Sequence, residues 1–171
     1  MHPSRSKETM AEKKRLTLKG FQALSSELDE LSRVERPKVV KGVSDAAAEG
    51  DRSENAEYIY GKKRLREIDK RLAYLASLLK DVEVIDPASV SGDTVQFGAT
   101  VVIEDEEGAV KRYMIVGEGE ADLKNGTISY KAPVARALLG RRRGDTVTIE
   151  RPAGEIEVEI KDIVFDAGRA A

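Results

Sequence analysis

The stretch YIYGKKRLREIDKRLAYLASLLKDV, residues 58–82, decides the fold. Tyr58, Leu65, Leu72 and Leu79 recur every seven residues, and Gly61, Ile68, Leu75 and Val82 form a second seven-residue row. Two such rows make the a and d seam of a coiled coil, because a strict seven-residue repeat keeps one apolar stripe turned toward a partner helix. The pattern predicts a helix from Ser53 to about Lys80, roughly 40 Å long at ~1.5 Å per residue.

The partner lies upstream. Phe21, Leu24, Leu28, Leu31 and Val34 fall at helical spacings between charged residues, within a helix expected from Leu16 to about Ala48. Pro37 interrupts it and should kink the helix or start a new turn, since proline lacks the backbone donor and crowds the carbonyl four residues back. Val39, Val40, Val43, Ala46 and Ala47 then resume an apolar face. Gly50 is the expected reversal point, and two seamed helices joined by a short turn make an antiparallel hairpin.

Charge is distributed unevenly along that hairpin. Residues 49–57 hold four acids (Glu49, Asp51, Glu54, Glu57) and one base (Arg52), a local charge of −3. Residues 62–71 hold six bases (Lys62, Lys63, Arg64, Arg66, Lys70, Arg71) and two acids (Glu67, Asp69), a local charge of +4. The six bases lie off the Leu65/Ile68/Leu72 seam and are expected to face solvent. Ordinary charged flanks of a coiled coil are one reading, and contact with phosphates is the other. Asp51 and Glu54, three apart, also carry two readings. They match a capping box at the start of a helix. They also fit a hard divalent cation such as Mg²⁺, which takes oxygen ligands and often only one or two from protein.

Composition narrows the function classes. The 171 residues carry a net charge of −2 and no cysteine, which excludes disulfides and thiolate metal sites. The near-zero charge argues against a protein that coats nucleic acid through its whole surface, so any such contact comes from a local patch. His2 is the only histidine, which leaves no histidine metal site and no Ser-His-Asp triad. Gly117-Glu118-Gly119 follows a strand and marks a turn rather than a phosphate loop. No self-contained enzyme site can be assembled. No apolar run reaches the ~20 residues of a membrane span, and residues 1–14 do not resemble a signal peptide. A soluble cytoplasmic protein without a membrane partner is expected.

After Asp86-Pro87-Ala88-Ser89, which reads as a linker, the pattern changes to short alternating runs. Strands are expected at residues 94–97, 99–103, 112–116, 127–130, 146–149 and 156–160. Glu107-Gly108, Asn125-Gly126 and Ala153-Gly154 supply turn signals. Pro133 to Leu139 reads as one short helix with proline at its first position and Gly140 beyond its end. The expected organisation is a disordered tail over 1–15 (Met10 being an alternative start), a hairpin over 16–84, a linker over 85–90, a small α+β domain over 91–166, and a tail over 167–171.

The run Gly50-Asp51-Arg52-Ser53-Glu54-Asn55-Ala56-Glu57-Tyr58, followed by Lys62-Lys63-Arg64-Leu65-Arg66-Glu67-Ile68-Asp69, resembles the bacterial Gre transcript cleavage factors, with the Arg52-Ser53 pair and the basic run similar to the GreB type. The second domain agrees at Phe97-Gly98-Ala99, at residues 112–117 and 133–139, and at Thr146-Val147. The resemblance covers about Leu16 to Phe165. It implies an α+β protein with an N-terminal coiled-coil hairpin and an FKBP-like C-terminal domain. That domain would dock at the secondary channel of bacterial RNA polymerase, and the hairpin would enter the channel. Asp51 and Glu54 would assist the polymerase's own Mg²⁺ in hydrolysing backtracked RNA, with no cofactor bound by the factor alone. The basic face, Lys62 to Arg71, would hold the extruded RNA 3′ end. Lys131, Ala132 and Pro133 match the docking region, where family members usually carry a polar Asn/Asp-Ser pair before the proline. Ala132 thus removes the expected helix cap, typically worth ~1 kcal/mol. The resemblance implies an accessory factor acting as a monomer. Other classes to weigh are an inhibitory channel-binding homologue, a prolyl isomerase and a coiled-coil adaptor.

Overall fold

A computed structural model describes residues 13–50 and 55–165. The readings of Asp51, Arg52, Ser53 and Glu54, and of the extreme termini, fall outside the described residues. Two compact units divide the chain: Gln22–Lys80 forms one, and the segment up to Phe21 together with that from Asp81 onward forms the other.

The first unit is the helical hairpin. Helix α1 spans Leu18–Glu30, a π-helical turn covers Leu31–Glu35, and α2 spans Arg36–Ala48. Antiparallel to them runs α3, Ala56–Leu79. The two heptad rows fall on the protected side: Ile68 and Leu75 are buried, and Tyr58, Gly61, Leu65, Leu72 and Leu79 are half-buried. Leu24, Leu31 and Ala46 are buried on the other arm of the hairpin. At Gly61 the helices come so close that an added Cβ would sit 2.6 Å from Val43 Cγ2.

Val34 departs from its expected place on the apolar face, being 54% exposed. The π-helical turn explains why. The Arg36 N–H donates to Leu31 O, five residues back, so the turn holds an extra residue and the inward phase passes from Leu31 to Glu35. Pro37 then sits in the first turn of α2, where its missing donor costs nothing. The proline thus starts a new turn.

The second unit begins earlier than expected. Residues 13–15 are ordered rather than part of a tail. Strand β1, Arg15–Thr17, pairs in parallel with β2, Glu83–Ile85. Leu16 is therefore a buried strand residue, not the start of the helix. Helix α1 is capped by Thr17, whose Oγ1 accepts the Gly20 N–H at 3.0 Å. Glu120 clamps this cap from 103 residues away: Oε2 accepts the Thr17 N–H at 2.8 Å and Oε1 accepts the Thr17 hydroxyl. Burial, the largest influence, pushes the Glu120 carboxyl above the ordinary carboxylate range, and the Thr17 hydrogen bonds oppose it. Gly117 admits the crossing strand, since a Cβ there would lie 2.3 Å from Arg15 O. Asp86–Ser89 is an ordered turn rather than a loose joint. The Asp86 carboxylate accepts the Ala88 N–H, and Pro87 is buried.

The sheet of this unit contains β3 (Thr100–Asp105), β4 (Val110–Val116), β5 (Thr127–Ser129), β6 (Thr146–Ile149) and β7 (Ile156–Val164), in the order β5-β4-β3-β7-β6. Five of the six expected strands are present. The exception, residues 94–97, makes only an isolated bridge from Thr94 to Arg142. The chain turns at once through a bond from Ala99 N–H to Gln96 O. Asn125-Gly126 ends a short 3₁₀ turn instead of joining a hairpin, because β4 and β5 run parallel. One face of the sheet carries Val101, Ile103, Ile115, Val147, Ile149, Val158 and Ile160, and helix α4 (Pro133–Leu138) seats Ala135 and Leu138 against it.

Candidate functional site

The far end of the hairpin is closed by one side chain. Asn55 caps α3, its Oδ1 accepting the Tyr58 N–H at 3.1 Å. Its Nδ2 donates at 2.7 Å to the carbonyl of Ala46 in the last turn of α2. Asn55 is therefore the N-cap residue of α3, while the capping reading of Asp51 lies outside the described residues. The chemistry suits this residue, because a side-chain amide accepts through its oxygen from one helix end while its nitrogen donates to the other, which a carboxylate cannot do. Asn immediately before a helical run is itself a cap signal, and it was there to be read. The helix begins at Ala56, beyond both tip acids.

The six bases divide into two groups. Arg64 and Arg71 do not simply face solvent. Arg64 Nε donates to Glu35 Oε1 at 2.9 Å, and its Nη2 makes a second bond to the same oxygen. Arg71 and Glu27 form a fork, with Nη2 to Oε2 at 2.8 Å and Nε to Oε2 at 3.1 Å. A third clip runs the other way, from Arg36 Nε to Asp69 Oδ1 at 2.7 Å. This hydrogen bond holds the Asp69 carboxyl below the ordinary carboxylate range and raises Arg36, as the Glu35 bond raises Arg64. These pairs join the two strands of the hairpin beside the seam, the place where charged flanks of a coiled coil meet. The pairing of these bases with Glu27 and Glu35, and of Asp69 with Arg36, was not read from the sequence. Seeing it required the registry of the two helices, which the π-helical turn shifts.

Lys62, Lys63, Arg66 and Lys70 are exposed, and none makes an ion pair among the described residues. These four exposed bases all fall within residues 62–70, two of them in the first two turns after the cap. Exposed aromatic and aliphatic groups lie near them: Tyr60 is 71% exposed and Ile59 53%.

Lys131, Ala132 and Pro133 occupy the entry to α4. Ala132 is the N-cap residue and offers no side-chain acceptor, and Pro133 follows at the first position. The Lys131 ammonium bonds Glu118 Oε2 at 2.9 Å, which raises its pKa, and lies 6.0 Å from the centre of the Tyr130 ring. Its charge is thus locally matched by Glu118.

Among the described residues, no group of three or more His, Cys, Asp or Glu side chains is arranged to hold a metal ion. No described helix is long and apolar enough to cross a membrane.

Residues 14–84 match the family model "Transcription elongation factor, N-terminal", and residues 90–165 match "Transcription elongation factor, GreA/GreB, C-term". The chain belongs to the GreA/GreB family of transcription elongation factors. Transcription elongation factor GreB of Pseudomonas aeruginosa is 50% identical over 140 residues, 82% of this chain and 83% of its own. Transcription elongation factor GreA of an Anaeromyxobacter species is 49% identical over 151 residues, 88% of this chain and 91% of its own. Among solved structures, the GreA factor homolog 1 (Gfh1) of Thermus thermophilus aligns with 90% of this chain and 99% of its own at 24% identity, with a TM-score of 0.42.

Proposed function

We propose that this protein is a GreB-type factor. It enters the secondary channel of RNA polymerase and stimulates the polymerase's own cleavage of backtracked RNA. It acts in the cytoplasm as an accessory to that enzyme. The family membership of both halves supports the reading. The observation that carries it furthest is the division of the basic face. Arg64 and Arg71 are consumed in holding the hairpin together. Lys62, Lys63, Arg66 and Lys70 remain free to meet the phosphates of an RNA 3′ segment. Each phosphate contact by an exposed lysine or arginine adds affinity that falls with salt.

Asp51 and Glu54 have the donor chemistry that Mg²⁺ takes. Two carboxylates fall short of a full octahedral shell, so they would complete one supplied by the polymerase and bind no ion alone. When present, the ion supplies Lewis-acid activation of water. Asn55 fixes where α3 begins, immediately after those acids, and the Lys131–Pro133 entry to α4 serves as the docking contact.

The test is transcript release from stalled polymerase complexes. With Lys62, Lys63, Arg66 and Lys70 all changed to Glu, cleavage should fall at least tenfold, while Arg64→Lys should matter far less. Retained cleavage in the quadruple variant would remove the phosphate role. Slowed elongation by the wild type without any shortened RNA would instead identify an inhibitory channel-binding homologue.

A further inference from the structure

Helix α4 is too short for the sheet it covers. Six residues at ~1.5 Å span about 9 Å, whereas the nine residues of β7 at ~3.3 Å span about 30 Å. The helix protects one end of the apolar face. At the other end, between the β3–β4 and β6–β7 turns, a cleft of about 400 Å³ stays open. Its floor exposes Tyr113 and Ile156 above the buried Ile103, Ile149 and Val158, with the half-buried Val134 of α4 as one wall. This volume lies within the range of sites that take a ligand or a few side chains.

The rim is charged with one sign in excess. Asp105, Glu106, Glu107, Glu155 and Glu157 line it, against Lys111 and Arg151. Asp105 is engaged in its own turn, accepting the Glu107 and Ala109 N–H groups. Arg151 donates to Gly154 O. Glu106, Glu107, Glu155 and Glu157 make no ion pair among the described residues, although Lys161 nearby is already shared between Glu104 and Glu159. An apolar floor with four unpaired carboxylates around it selects against an acidic or purely polar occupant.

We propose that this cleft binds an extended segment of a partner protein in which branched apolar side chains alternate with lysine or arginine. In an extended chain successive side chains point to opposite sides. The apolar ones can fill the floor while the basic ones reach the carboxylates on the rim. The surface shares no residue with the tip acids or with the basic face of the hairpin, and its occupancy does not require the polymerase.

The experiment titrates the full chain with acetyl-Lys-Leu-Lys-Leu-Arg-amide and follows backbone amide resonances. Saturable shifts are expected over residues 103–113 and 149–158. Replacing the basic residues of the peptide by Glu, or its leucines by Ser, should abolish them. Glu107→Lys combined with Glu155→Lys, both exposed turn positions, should weaken binding by about tenfold or more, as removal of complementary charges does, with the thermal midpoint unchanged. Absence of saturable shifts, shifts located elsewhere, or equal binding by the double variant would overturn the proposal. So would concentration-dependent shifts of the cleft resonances without peptide, which would identify a second copy of this chain as the occupant.

Discussion

The hairpin and the sheet unit are held together by different means. The sheet unit gathers eleven buried residues, all apolar, into one cluster. The hairpin buries few, chiefly Leu24, Leu31, Ala46, Ile68, Leu75 and Leu78, and flanks them with Arg36–Asp69, Arg64–Glu35 and Arg71–Glu27. A two-helix arm has no interior beyond a single seam. Its registry must therefore come from close approach at Gly61, from the Asn55 clip and from the three charge pairs. Side-chain chemistry on the arm is consequently divided between structure and surface, while the sheet unit can leave part of its apolar face uncovered and remain folded.

The seam is where this contrast is most open to challenge. Leu75→Ala should cost roughly 2–5 kcal/mol, the usual range for a fully buried leucine, read as lost helicity in chemical denaturation. The same experiment on Leu138→Ala should cost a similar amount but spare the helical signal of the arm. If Leu75→Ala also unfolded the sheet unit, the two would not be separately stabilised. Gly61→Leu comes next, since its Cβ alone would press on Val43. Overpacking of this kind costs typically about 1–3 kcal/mol, and Val43→Ala should restore part of it.

Asn55→Ala should cost about 1 kcal/mol through the lost cap. Asn55→Asp keeps the cap but places an acceptor against Ala46 O, so it should remain less stable than wild type. Equality of Asp and Asn would show that the clip to Ala46 contributes nothing. The smallest effect is a pH dependence in the sheet unit. Burial raises the Glu120 carboxyl above its unfolded value. Its contribution to stability is therefore fully present below the unfolded pKa, near 4.5, and is lost as pH rises through the higher folded value. Glu120→Gln should flatten that part of the stability profile, and an unchanged profile would remove Glu120 as its source.

Much of this was legible in the residues. The seven-residue rows placed Ile68 and Leu75 in the seam, and period-two alternation placed five strands. What was hidden depends on contacts between distant segments. A three-residue strand at Arg15–Thr17 has too little pattern to be seen and exists because Glu83–Ile85 pairs with it. Val34 was misplaced because one π-helical turn shifts the phase of everything after it. The division of the bases was invisible for the same reason. Arg64 and Lys63 are equivalent in sequence, and only the facing helix decides that Glu35 meets the first. The parallel pairing of β4 and β5 likewise overrides the hairpin signal of Asn125-Gly126, because the ten residues from Gly117 to Gly126 leave room for the chain to cross over.

In the proposed mechanism the arm carries Asp51 and Glu54 to a metal ion belonging to the polymerase. Cleavage of backtracked RNA by stalled polymerase, measured with wild type, Asp51→Asn and Glu54→Gln side by side and together with binding to the polymerase, probes that step itself. Both variants should bind as wild type does and lose cleavage by roughly ten- to a hundredfold, the scale on which metal-assisted catalysis suffers when its supporting groups are lost. Cleavage at the wild-type rate with both carboxylates neutralised would refute the mechanism.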